Sequence, residues 1–134
     1  MEKTDFMCQL KVSEEMLSDS DNSIVIVAVI NNKIIARADL DGYPNMRMHH
    51  RAKFSIAVKK DYWNNGIGTA MMNTILKSAK TMQLKIIELE VVADNFAGIA
   101  LYKKMGFETI GTYKNFWYVN GTYKDALIMQ KCLD

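Results

Sequence analysis

The stretch KKDYWNNGIGTAMMNTILKSAKTM (residues 59–82) runs from a polar, glycine-bearing loop into the clearest amphipathic helix of the chain. At about 100° per residue, Ile67, Met71, Met72, Ile75, Leu76, Ala79 and Met82 share one half of the wheel. Thr69, Asn73, Thr74, Lys77, Lys80 and Thr81 fill the other half. The pattern predicts a helix over residues 66–82. Just before the loop, Phe54, Ile56 and Val58 alternate with Lys53, Ser55 and Ala57, which predicts a strand over 53–58. After the helix, residues 84–93 are rich in Ile, Leu and Val and read as a buried strand. The core of the fold is therefore a strand–helix–strand unit.

Hairpins flank that unit. Two β-branched runs, 23–30 and 33–40, are joined by Asn31 and Asn32, and asparagine tolerates the positive φ of a two-residue turn. Residues 107–118 and 123–133 form a second strand pair around Asn120 and Gly121, also a strong hairpin signal. Residues 95–105 read as a helix closed by Gly106, in the position that favours a left-handed residue. Residues 41–48 read as a loop. Residues 1–22 are weakly patterned; within them 11–17 read as a short helix and 18–22 as its exit loop. The order is β-β-β-α-β-α-β-β. It predicts an α+β fold, with a mixed, mostly antiparallel sheet and helices packed on it, not a doubly wound parallel one. Pro44 is the only proline and no repeat or linker divides the 134 residues, so the expectation is one domain over 1–134.

A chain of this size buries roughly two-thirds of the surface its unfolded form exposes, enough for its own core. Apolar residues make up 49% and charged ones 24%, an ordinary globular composition. A net charge of +2 gives no case for nucleic acid as a partner. Cys8 and Cys132 lie far apart without CxxC or histidine spacing, so neither a metal site nor a disulfide framework is expected. No apolar run reaches the ~18–20 residues of a membrane span, and the first residues hold no signal-peptide core. The expectation is a cytoplasmic protein without membrane contact.

Two stretches carry candidate chemistry. In the first, Gly66 and Gly68 stand where a strand enters a helix. The N–H groups of a helix N-terminus lack partners, and glycine lets a phosphate approach the backbone. The competing reading is a tight turn that needs glycine for backbone reasons alone. No GxxxxGK[ST] string exists, so a P-loop is excluded. A dinucleotide fingerprint needs Gly or Ala where Met71 stands. Glu88 lies 20 residues after Gly68, as a ribose-binding acid would, but the flanking hairpins do not fit that fold.

In the second stretch, Asn95, Gly98 and Tyr102 share a helix face at i, i+3 and i+7. An amide and a phenol then flank a position without a side chain, which suits a ligand lying along the helix. Asn95 or Asp94 as a plain N-cap, and Tyr102 as a core residue, are the competing readings.

Together, in this order and spacing, the stretches resemble the GNAT superfamily of N-acetyltransferases. The family's [R/Q]xxGx[G/A] motif reads WNNGIG here (residues 63–68), and its later Asn followed by AxxLYxKxGF reads NFAGIALYKKMGF (95–107). GTYKDALIM (121–129) is similar to the closing hairpin. The resemblance spans roughly residues 23–133. It implies direct transfer of an acetyl group from acetyl-CoA to an amine, with no acyl-enzyme. It implies that Trp63, Asn64, Asn65, Gly66, Ile67, Gly68 and Thr69 form the pyrophosphate loop. Ile56, Ala57 and Val58 would pair with the pantetheine arm as an added strand. Asn95 would bond to pantetheine, and Tyr102 would protonate the leaving thiolate. A backbone N–H near Val58 would meet the oxyanion.

Three departures bear on that expectation. Trp63 stands where the family has Arg or Gln. Lys53 stands where relatives often have a glutamate, in HxxEF, that deprotonates the amine. An amine near pKa 10 is mostly ammonium at neutral pH and needs a base; Glu88, Glu90, His49 and His50 are the candidates. Only about 22 residues precede Ser23, where the family has a strand and one or two helices. The acceptor side is then open, completed by a second subunit as a homodimer, or missing. A CoA-binding module without catalysis is the alternative to an enzyme, and the acceptor amine is left open.

Overall fold

The computed structural model describes residues 11–16 and 23–133. Its strands are β1 (Lys11–Met16), β2 (Ser23–Ile30), β3 (Lys33–Gly42), β4 (Arg51–Val58), β5 (Ile86–Val92), β6 (Glu108–Val119) and β7 (Thr122–Cys132). The helices are α1 (Ile67–Thr81) and α2 (Phe96–Lys104), with short 3-10 turns at Met46–Met48 and Lys60–Tyr62. One sheet holds all seven strands in the order β1-β2-β3-β4-β5-β7-β6. Every neighbouring pair is antiparallel except β4 and β5. The mixed, mostly antiparallel sheet with packed helices is what the sequence predicts.

Both hairpin turns form where asparagine and glycine take positive φ: Asn31 at 52° and Asn32 at 63°, Asn120 at 50° and Gly121 at 79°. Helix α1 starts at Gly66, whose φ of 80° is the left-handed region that a side chain disfavours. Its Ile67, Met71, Met72, Ile75 and Ala79 are at most 1% exposed. Fully burying each of the large side chains contributes about 1.5–3 kcal/mol. They pack on Ile26, Ala38, Leu40, Phe54 and Ile87 of the sheet.

Residues 11–17 correct the sequence reading. The expected short helix is instead strand β1 over Lys11–Met16, paired antiparallel with β2 from Lys11↔Val29 to Met16↔Ile24. Glutamate and methionine favour helix only weakly, and a ladder along the otherwise open edge of β2 overrides that preference. Leu17 and the predicted exit loop lie outside the described residues.

The parallel contact between β4 and β5 is short. Arg51↔Ile86, Ala52↔Ile87 and Lys53↔Glu88 pair, and then the strands part. Beyond Lys53, β4 continues to Val58 paired, among the described residues, with β3 alone, while β5 pairs with β7. The sheet is split by a gap that closes at Lys53 and Glu88.

Candidate acetyl-donor cleft

The N–H of Lys59 donates to the carbonyl of Ile35 at 2.9 Å, which fixes the phase of the β3–β4 ladder. In an antiparallel ladder, backbone groups point alternately to one neighbour and the other. Ala57 and Ser55 therefore bond to β3, whereas the N–H and C=O groups of Val58 and Ile56 face the gap. The indole Nε1 of Trp63 donates to the Val58 carbonyl at 2.7 Å. Ile56 N–H, Ile56 C=O and Val58 N–H remain directed into the gap, a strand edge awaiting a partner.

A cleft of about 590 Å³ lies along this edge. Of the residues singled out by sequence, Ile56, Ala57, Val58, Trp63, Asn64, Gly66, Gly68, Thr69, Asn95, Gly98 and Tyr102 line it. Asn65 and Ile67 do not. Asn65 donates from Nδ2 to the Trp63 carbonyl at 3.0 Å and so braces the loop. The Ile67 side chain is in the core at 1% exposure. Its main chain still opens α1: the first intrahelical bond runs from Ala70 N–H to Gly66 C=O. The N–H groups of Ile67, Gly68 and Thr69 are thus without helical acceptors. They and the helix dipole offer an anion site beside the free edge of β4.

Gly68 and Gly98 keep the cleft walls close. A Cβ on Gly68 would lie 3.1 Å from Leu101 Cδ2, so glycine there brings α1 onto α2. A Cβ on Gly98 would lie 2.7 Å from Asn95 Nδ2. Asn95 is the N-cap of α2: its Oδ1 accepts from Gly98 N–H at 3.0 Å. Asn95 is thus the N-cap, the competing reading of the sequence, and its side chain also lines the cleft.

Tyr102 is 8% exposed. Its ring meets Phe54 edge-on (6.0 Å, 74°) and Phe107 likewise (6.1 Å, 63°), which fixes its direction. Burial raises its pKa and keeps the hydroxyl protonated, the form a proton donor needs.

The two glutamates lie on the other face of the sheet. Glu88 accepts from Tyr43 Oη at 2.6 Å and from Arg51 Nη2 at 2.9 Å. Glu90 forms an ion pair with Lys53 across the closed end of the gap. His49 and His50 are exposed and precede β4, at the end remote from the free edge. Sequence reasoning missed Tyr62, Ala97 and Leu101 in the lining and the Tyr43–Arg51–Glu88 cluster. The cluster joins residues 37 and 45 positions apart and leaves no local signal.

The chain matches the profile of the acetyltransferase (GNAT) family over residues 2–107. It belongs to the GNAT family. The L-amino acid N-acetyltransferase AaaT of Escherichia coli is 33% identical over 119 residues, 88% of this chain and 74% of AaaT. The enzyme of the same species that acetylates an alanine of ribosomal protein bS18 is 34% identical over 76 residues, 57% of this chain and 51% of that enzyme. A GNAT acetyltransferase structure from Streptococcus pneumoniae superposes with a TM-score of 0.82 at 29% identity, covering 87% of this chain and 70% of that one. As a GNAT protein, the chain is an acetyl-CoA-dependent N-acetyltransferase. Among the described residues, no helix is long and apolar enough to cross a membrane.

Proposed function

We propose that the cleft holds acetyl-CoA with its pyrophosphate on the N–H groups of Ile67, Gly68 and Thr69, and its pantetheine arm along Ile56 and Val58. The observation that carries this reading is the edge of β4 that, among the described residues, has no strand partner and faces a cleft that ends at a helix N-terminus. An amide-bearing arm can satisfy such an edge as an added strand. Asn64, Asn65 and Trp63 shape the loop, Trp63 by holding the Val58 carbonyl. Asn95 bonds the arm through Nδ2.

Acetyl-CoA supplies the thioester. Tyr102 delivers its proton to the leaving sulfur, and an N–H of the β4 edge stabilises the developing oxyanion. We assign the base to Glu90. Glu88 already accepts from two donors, and the histidines lie at the far end of β4. The acceptor is an amine that approaches from the face carrying Glu90. Amino acids and small peptides beginning with alanine are the first to screen, following the two relatives.

Thermal unfolding with acetyl-CoA, CoA and NADH tests the cofactor assignment. Acetyl-CoA and CoA at 100 times their dissociation constants add about 2.7 kcal/mol of stability. NADH gives no shift. A shift with NADH alone overturns the assignment.

We further read the protein as a cytoplasmic homodimer. Among the described residues the sheet ends in β6, where Ile110, Tyr113, Tyr118 and Val119 are exposed along an edge without a strand partner, which a second copy would cover. Light scattering of the purified chain measures its mass directly.

A further inference from the structure

Lys53 occupies a special place in the split sheet. Its pair with Glu88 is the last between β4 and β5. Its side chain points to the face opposite α1, because Ala52 and Phe54 on either side of it are buried in the core. From there Nζ reaches Glu90, two residues further along β5 than its own backbone partner. The ammonium therefore spans the closed end of the gap on the face from which an acceptor amine would enter. The Lys53 side chain is 43% exposed and that of Glu90 21%. A pair so exposed to water contributes little to stability, so leaving it costs Nζ little.

The proposed donor enters from the other end of the gap. With its pyrophosphate at α1 and its arm along Val58 and Ile56, its reactive end points toward Lys53. Resting on this reading of the cleft, we propose that Lys53 is itself an acetyl acceptor, so that the enzyme acetylates its own β4 strand at Nζ. The ammonium of Lys53 gives one proton to Glu90. The freed nitrogen lone pair attacks the thioester carbonyl, a C–N bond forms and the C–S bond breaks. Glu90 passes that first proton to water and then takes the second from the acylated nitrogen, releasing it likewise; the thiolate takes the proton of Tyr102, which is reprotonated from water. The products are Nε-acetyl-Lys53 and CoA. The amide carries no charge, so the ion pair is lost and the Glu90 carboxylate is released for a free amine.

The test is intact-mass and peptide-mapping spectrometry of the full chain after incubation with acetyl-CoA. The expected result is one acetyl group, on Lys53, at a rate well above that of exposed Lys33 and Lys77. Glu90→Gln slows it about 100-fold or more, the contribution of a lost base. Lys53→Arg keeps a cation beside Glu90, abolishes the single modification and leaves slow random acetylation. Equal rates at Lys53 and Lys77, or an unchanged rate in Glu90→Gln, overturn the proposal. A protein that is stabilised by acetyl-CoA and acetylates a free amine, yet stays unmodified at Lys53, overturns it while leaving the cleft assignment standing. Absence of any stabilisation by acetyl-CoA removes both.

Discussion

Trp63 holds the end of strand β4 by its side chain: the indole Nε1 donates to the Val58 carbonyl at 2.7 Å. Trp63 is 56% exposed, so little core packing depends on it. Trp63→Phe removes the donor and loosens the strand edge beside the pyrophosphate loop. One net hydrogen bond is about 1 kcal/mol. We expect acetyl-CoA affinity to fall roughly fivefold by calorimetry, with Tm nearly unchanged.

Tyr102→Phe separates packing from chemistry. The ring contacts with Phe54 and Phe107 remain and only the hydroxyl goes. The expected result is a fall in kcat of about 10²–10⁴, with little change in acetyl-CoA affinity or Tm. Because burial raises the Tyr102 pKa above the ordinary tyrosine value, the hydroxyl stays protonated and wild-type kcat loses nothing to its ionisation around neutral pH. Steady-state kinetics across pH read both effects.

Gly66→Ala probes the loop backbone. At φ 80° an alanine pays the left-handed strain of about 1–2 kcal/mol. Urea denaturation measures that loss, and the distorted helix start weakens acetyl-CoA binding in the same variant.

Helix α1, strand β4 and the two hairpin turns were legible in sequence because each has a local cause. Apolar spacing places α1, alternation places β4, and Asn31-Asn32 and Asn120-Gly121 place the turns. Of the cleft lining, Trp63, Asn64, Gly66, Gly68, Thr69, Asn95 and Tyr102 follow from the GNAT-like motifs, whereas Tyr62, Ala97 and Leu101 do not. Strand β1 was not legible, since pairing with β2 rather than propensity makes it extended. Nor was the role of Trp63, which depends on where β4 ends in space. The Lys53–Glu90 and Tyr43–Arg51–Glu88 contacts depend on the register of β4 against β5, and no local pattern encodes that register.

Tyr43 gives an alkaline signature. Burial first, then its bond to Glu88, push its pKa up to about 12. A folded-state value above the unfolded 10 means that the folded state resists ionisation. The associated stability is whole below pH 10 and is lost as pH rises through about 12. Tyr43→Phe therefore reduces the fall in urea midpoint between those pH values.

The central claim is that acetyl-CoA completes the sheet along β4, and residue-resolved amide hydrogen exchange tests it most directly. Ile56 and Val58 N–H groups face the gap, whereas those of Ser55 and Ala57 already bond to β3. Saturating acetyl-CoA is expected to slow exchange at Ile56 and Val58 and to leave Ser55 and Ala57 nearly unchanged. Unchanged exchange at Ile56 and Val58, with the ligand bound by calorimetry, would contradict the account.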